Sequence, residues 1–191
     1  INIYENKNKN SKLSSQILYG EKFTILKRYK DWYKIKTSYD KYIGFIKKKK
    51  FESCVFKPTH KVSSLKAKVF LKPYKTSKVK MKLSFTSLIK VKSSNNGFFN
   101  FDNYWIQKSN VVPLSYKEKI FQRIKIFRNV KYKWGGKKFD GVDCSGLIQL
   151  FYKFNNLYCP RDTGPQFKYF KKLRSIKKNA IIFWKGHVAI C

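Results

Sequence analysis

The sequence predicts an α+β protein in which two small all-β units precede a helix-containing domain that closes on a hairpin. Three observations predict it. Short apolar runs recur every 8–12 residues up to Pro113, the spacing of strands in a small sandwich or barrel. After Pro113 the apolar residues fall at helical spacing instead. The chain then finishes on two apolar runs, Ala180–Trp184 and His187–Cys191, joined by Lys185-Gly186, a hairpin signal.

Taken in order, residues 1–12 are rich in Asn and Lys and are expected to form a mobile lead segment. Residues 13–52 hold a first barrel, with strands at Lys22–Leu26, Trp32–Lys36 and Tyr42–Ile46 separated by Tyr19-Gly20, Lys30-Asp31 and Tyr39-Asp40. Residues 53–62, which include Pro58 and His60, read as a linker. Residues 63–114 hold a second barrel, with runs at Ala67–Leu71, Ser87–Val91, Gly97–Phe99 and Tyr104–Ile106. The two units end alike: Phe45–Phe51 and Trp105–Val111 share aromatic, Ile, x, Lys, x, x, apolar, a signature of internal duplication.

Residues 115–191 form the last domain. Ser115 and Glu118 read as a capping box, and Ile120, Ile124 and Phe127 as one face of a helix from Ser115 to Asn129. A glycine-rich aromatic turn, Tyr132-Lys133-Trp134-Gly135-Gly136, leads to Asp143-Cys144-Ser145-Gly146. A second helix follows, with Leu147, Ile148, Phe151 and Phe154 as its apolar stripe and Asn155-Asn156 at its end. Thr163, Pro165 and Gln166 mark the start of a third helix that runs to about Leu173.

Composition excludes several classes. No apolar run approaches the roughly 20 residues of a membrane-spanning helix, and the apolar and aromatic content is too high for a disordered chain. The formal charge is +34, but lysine outnumbers arginine 39 to 5 and is spread over the whole length. Such a surface attracts anionic polymers, cell-wall material included, without forming the localised stripe of a specific nucleic-acid binder. The four cysteines form no Cys-x-x-Cys pair, and two histidines cannot complete a zinc finger, so no metal or cofactor is expected. Oligomeric state is not written in the sequence.

The chemistry points to Cys144. A free thiol titrates at about 8.5 and attacks as thiolate, a form favoured by a helix N-terminus and by a nearby imidazolium. Cys144 directly follows the N-cap candidate Asp143, and Gly146 allows close approach at the first turn. The second requirement falls to His187, because His60 lies in the expected linker. Taken singly, these residues read as a buried thiol, a helix cap and a packed strand residue.

Together they are specific. Tyr132-x-Trp134-Gly135-Gly136, Asp143-Cys144-Ser145-Gly146, Pro160-Arg161 and Phe183-Trp184-x-Gly186-His187-Val188-Ala189-Ile190 resemble the NlpC/P60 cysteine peptidases. Tyr19-Gly20, Asp31-Trp32 and Gly44-Phe45-Ile46 resemble bacterial Src-homology-three-like (SH3-like) barrels, and Trp105-Ile106 repeats the last element, with Tyr104 in place of glycine. The resemblance implies a papain-like hydrolase of peptidoglycan peptides that cleaves between γ-D-glutamate and a diamino acid. It implies Cys144 as nucleophile, His187 as general base and Tyr132 as an oxyanion-holding residue. Asp143 and Ser145 match positions that bind a free N-terminal amine. Trp134 would line the site, and Arg161 would pair with a carboxylate of substrate or protein. The family's third polar residue falls beyond His187, and Cys191 is reached first. The chain is therefore expected to be an incomplete domain with an exposed sheet edge and weak or no activity. The competing expectation is a non-catalytic wall-binding protein. The compartment stays open between the cell envelope, which wall remodelling requires, and the cytoplasm, where free peptides are recycled.

Overall fold

Two five-stranded antiparallel sheets with the same strand order make up the first 113 residues of the computed structural model, which describes residues 1–8, 10–51 and 57–191. The first contains β1 (Asn2–Tyr4), β2 (Leu13–Gln16), β3 (Phe23–Arg28), β4 (Trp32–Thr37) and β5 (Ile43–Lys47), in the order β2-β1-β5-β4-β3. In this sheet the last three strands form a meander, the first strand pairs with the last, and the second lies outermost. The second unit adds β6 (His60–Val62), β7 (Lys66–Phe70), β8 (Val79–Ser84), β9 (Leu88–Ile89), β10 (Ser93–Asn95), β11 (Phe98–Phe101), β12 (Tyr104–Gln107) and β13 (Val111–Pro113). Its main sheet, β10-β11-β12-β7-β8, repeats the first arrangement strand for strand, and β13-β6-β9 form a small second sheet. The sequence match between Phe45 and Trp105 thus has a structural counterpart. Each sits on the last strand opposite the first, Phe45 facing Tyr4 and Trp105 facing Phe70, and the following Ile46 and Ile106 are fully buried. Among the described residues both main sheets are open rather than closed into barrels.

Three expectations are corrected here. The lead segment is not loose throughout: Asn2–Tyr4 is a sheet strand, and Ile3 is fully buried in the first core with Ile17, Tyr33, Ile35 and Ile46. Burial of one isoleucine in a packed core outweighs the polar composition around it. The expected linker at 53–62 lies partly outside the described residues, as does Cys54, but His60–Val62 is a strand of the second unit. The expected Ser115–Asn129 helix is a run of turns with a 3-10 segment at Ile124–Phe127. Phe121 adopts φ +67, a left-handed conformation that an α-helix cannot contain, and its ring is buried against Phe151. The capping box does not form either. The Glu118 amide donates to Asn155 Oδ1 at 2.8 Å, and its carboxylate accepts from Arg123 Nε at 2.7 Å. A tertiary site for Phe121 has won over local helix propensity.

The C-terminal domain contains β14 (Lys137–Lys138), β15 (Gly141–Val142), α1 (Cys144–Phe154), α2 (Thr163–Tyr169), β16 (Ile181–Trp184) and β17 (His187–Ile190). The helix α1 packs its stripe of Ile148, Leu150, Phe151 and Phe154 into the core, and β17 lies against it through Val188. The hairpin β16–β17 turns at Lys185-Gly186, with Gly186 at φ +75. The third helix is shorter than expected, ending at Tyr169, and its Asp162 cap makes no side-chain bond to the helix.

Candidate active site

Cys144 is the first residue of α1 and is partly buried. The local sequence dictates this position. Asp143 takes an extended backbone, and its Oδ1 accepts from the Gly146 amide at 2.6 Å, the bond of an N-cap. The amides of the first turn and the helix dipole then present partial positive charge to the sulfur. The glycines serve close approach. At Gly146 a Cβ would stand 2.6 Å from the Gly136 carbonyl oxygen, so any side chain there would push the helix start off the aromatic turn. Gly135, at φ +70, would meet the Leu13 carbonyl at 2.7 Å, which places the first sheet directly against this turn.

Asp143 does more than cap. Its buried carboxylate accepts from the Gly135 amide at 2.8 Å, from the Ser145 hydroxyl at 3.4 Å, and from Arg161 twice, Nη1 at 3.0 Å and Nη2 at 2.6 Å. Arg161 is itself buried; its Nη1 also donates to Ser145 Oγ at 3.1 Å and its Nε to Ser15 Oγ at 3.0 Å. Burial works against the guanidinium's charge, but the Asp143 pair outweighs it and holds the proton more firmly than usual. Of the two partners expected for Arg161, the structure supplies the protein carboxylate. One two-pronged ion pair therefore fixes the aromatic turn, the helix start and the first sheet together.

The structure brings two side chains to the thiol. Tyr132 bridges to Val142, and its phenol stands beside Cys144; burial first, then the neighbouring Cys144 and Asp143, push its pKa up, so it remains a proton donor through neutral pH. Thr163, the first residue of α2, places Oγ1 3.9 Å from Cys144 Sγ. His187 opens β17, the strand packed on α1, and its ring lies 4.9 Å from the Trp184 ring. Trp134 is 62% exposed, in the same turn as Tyr132.

Sequence reasoning missed three contributors. Thr163 was legible only as a helix start. Ser15 lies 146 residues from Arg161 and carries no motif. Gln166 ties α2 to α1 by donating to the carbonyls of Ser145 and Pro160, both at 2.9 Å, a role the capping pattern does not reveal. Among the described residues no cluster of His, Cys, Asp or Glu is arranged to hold a metal ion. The buried Cys159 thiol is pushed up to about 12 by burial, which leaves it inert.

Residues 129–191 match the NlpC/P60 family, and residues 3–51 match the bacterial dipeptidyl-peptidase Sh3 domain. A gamma-D-glutamyl-L-lysine dipeptidyl-peptidase of Bacillus subtilis (strain 168) is 30% identical over 82% of this chain and 58% of its own length. One of the same name from Bacillus cereus (strain ATCC 10987 / NRS 248) is 24% identical over 82% of this chain and 54% of its own. The chain thus spans just over half the length of these relatives. The crystal structure of an NlpC/P60 family protein from Bacillus cereus ATCC 10987 superposes with a TM-score of 0.80 at 22% identity, over 95% of this chain and 71% of that one, and shares its fold. Residues 129–191, which carry the cysteine, therefore form an NlpC/P60 family domain, with a bacterial SH3 domain on its N-terminal side.

Proposed function

We propose that the protein is a cysteine peptidase that hydrolyses peptidoglycan peptides at the bond between γ-D-glutamate and the diamino acid. The observation that carries this reading is the placement of Cys144: a thiol at the N-terminus of α1, beside a phenol, with the His187 strand packed on the same helix. The names of the two Bacillus relatives support the choice of bond.

The Cys144 thiolate attacks the γ-glutamyl carbonyl carbon. The oxyanion is held by the Cys144 amide and the Tyr132 hydroxyl. His187, protonated as the thiolate forms, gives its proton to the leaving amine, then takes one from the water that hydrolyses the thioester. Asp143 and Ser145 serve the free amine of the bound peptide, with Arg161 holding the carboxylate in place. Trp134 forms a wall for the peptide.

The test uses protein expressed from its complete natural reading frame and L-Ala-γ-D-Glu-L-Lys as substrate. Cys144→Ala abolishes release of L-lysine, and unchanged release would end the proposal. Tyr132→Phe lowers kcat by about 10²-fold with little change in KM, the behaviour of a lost oxyanion donor. Ser145→Ala raises KM for the free-amine substrate and not for its N-acetylated form; equal effects on both would remove Ser145 from amine binding.

A further inference from the structure

A cleft of about 1270 Å³ opens where the first sheet, the second sheet and the turn after β14 meet. None of Tyr132, Asp143, Cys144 or His187 lines it, so it is separate from the site above. Its floor is apolar, with Ile17, Leu18, Tyr33 and Leu83 buried beneath it. Its rim carries six basic side chains: Lys22, Arg28, Lys49, Lys50, Lys82 and Lys138.

Within the cleft no acid is left over to balance the rim. Three acids line it, and each is engaged. Glu21 pairs with Lys153, with Lys137 at 3.8 Å; Asp140 pairs with Lys133 at 3.0 Å; Asp102 accepts from the Tyr19 hydroxyl. None of the six rim cations forms an ion pair among the described residues. A concave, low-dielectric wall carrying one sign of charge concentrates counter-ions.

We infer that this cleft binds a flexible polyanion with phosphodiester repeats on an aliphatic polyol backbone. Several separated cations call for several separated anions. Five of the six are lysines, whose compact ammonium groups meet a tetrahedral phosphate from any side. The apolar floor suits methylene groups of a polyol chain. Nucleic acid fits less well, since the aromatic rings that line the cleft are already engaged: Phe23 packs edge-on to Phe51, Tyr19 edge-on to Phe101, and Arg28 and Lys66 lie over Tyr33 and Phe139. The inference does not depend on the peptidase reading.

Fluorescence anisotropy with a labelled glycerol-phosphate oligomer tests it. The protein binds the oligomer at physiological salt, and Lys49→Gln/Lys50→Gln/Lys82→Gln weakens binding about tenfold and flattens the dependence of log K on log salt by roughly 0.7 per removed charge. A control, Lys72→Gln/Lys75→Gln/Lys78→Gln, removes the same charge at the exposed turn between β7 and β8 and leaves affinity unchanged. Equal weakening in the control would reassign the effect to diffuse surface charge. Equal or tighter binding of poly-L-glutamate or of oligo-dT would overturn the phosphodiester assignment.

Discussion

The first sheet unit and the second meet the C-terminal domain by different physics. The first places a single buried leucine, Leu18, in the C-terminal core and otherwise uses directional polar groups. Buried Glu21 pairs with Lys153 of α1 and Lys137 of β14, Gln149 of α1 donates to Asp40 at 2.8 Å, Ser15 accepts from Arg161, and the Tyr39 hydroxyl donates to the Leu157 carbonyl at 2.7 Å. The second uses one large apolar side chain. Phe85 enters the C-terminal core, stacked on Phe154 with centroids 4.7 Å apart and flanked by Phe127 and Phe151. Beside it Lys61, fully buried, donates to the carbonyls of Leu114, Tyr116 and Phe154. Apolar burial supplies stability without fixing orientation, whereas hydrogen bonds and ion pairs fix register. The unit that touches the cysteine's supporting ion pair is the one held by directional bonds. The unit farther from it is merged into the hydrophobic core.

The largest effect is expected at Phe85. Phe85→Ala leaves a cavity among three other phenylalanines and costs about 3–5 kcal/mol. Urea denaturation should show the second unit and the C-terminal domain destabilised together. If only the second unit is destabilised, the two do not share one core. Glu21→Gln comes next, at about 3 kcal/mol, because it leaves two lysines buried without their counter-charge. Burial alone would raise the Glu21 pKa, but Lys137 and Lys153 override it and hold it near 2. A carboxyl lowered on folding stabilises above its ordinary value and loses that contribution as pH falls from about 4.5 to about 2. The wild type should therefore lose stability across that window, and Glu21→Gln should show a flatter acid limb.

Lys61 sharpens the contrast from the opposite side of neutrality. Burial pushes its ammonium down to about 8. The unfolded chain then holds more protons than the folded one between about 8 and 10.5, so this group's contribution to stability rises with pH across that interval. Lys61→Met removes the rise and leaves three carbonyls short of a donor, at about 1–3 kcal/mol at neutral pH. Stability curves at several pH values separate the two effects; an unchanged alkaline profile would show that Lys61 does not titrate there. The smallest effect is Tyr39→Phe, about 0.5–1.5 kcal/mol for one hydrogen bond. Its sharper readout is KM, because the loss loosens the unit next to the cysteine rather than the core. A KM identical to wild type would argue that the first unit's polar bonds have no bearing on substrate.

Much of the site was legible in sequence. Asp143 as N-cap, Cys144 at the helix start and the hairpin carrying His187 are local patterns, set by residues within a few positions of one another. The same holds for the duplicated strand endings at Phe45 and Trp105. The helix expected over Ser115–Asn129 shows the limit of such patterns. Its apolar spacing was real, yet those residues reach the core from turns, because Phe121 and Glu118 found partners at Phe151 and Asn155.

By itself the sequence determined the strand and helix units, the cysteine at a helix N-terminus and the excess of positive charge. Only the tertiary structure decided what those charges and polar groups face. Arg161 is committed to Asp143 and Ser15, Glu21 to a lysine 132 residues away, and Lys61 to a carbonyl 93 residues away. Caps, turns and apolar periods are written within one or two turns of chain. A buried charge is settled by whichever group the fold brings within about 3 Å of it, and no local pattern encodes that distance.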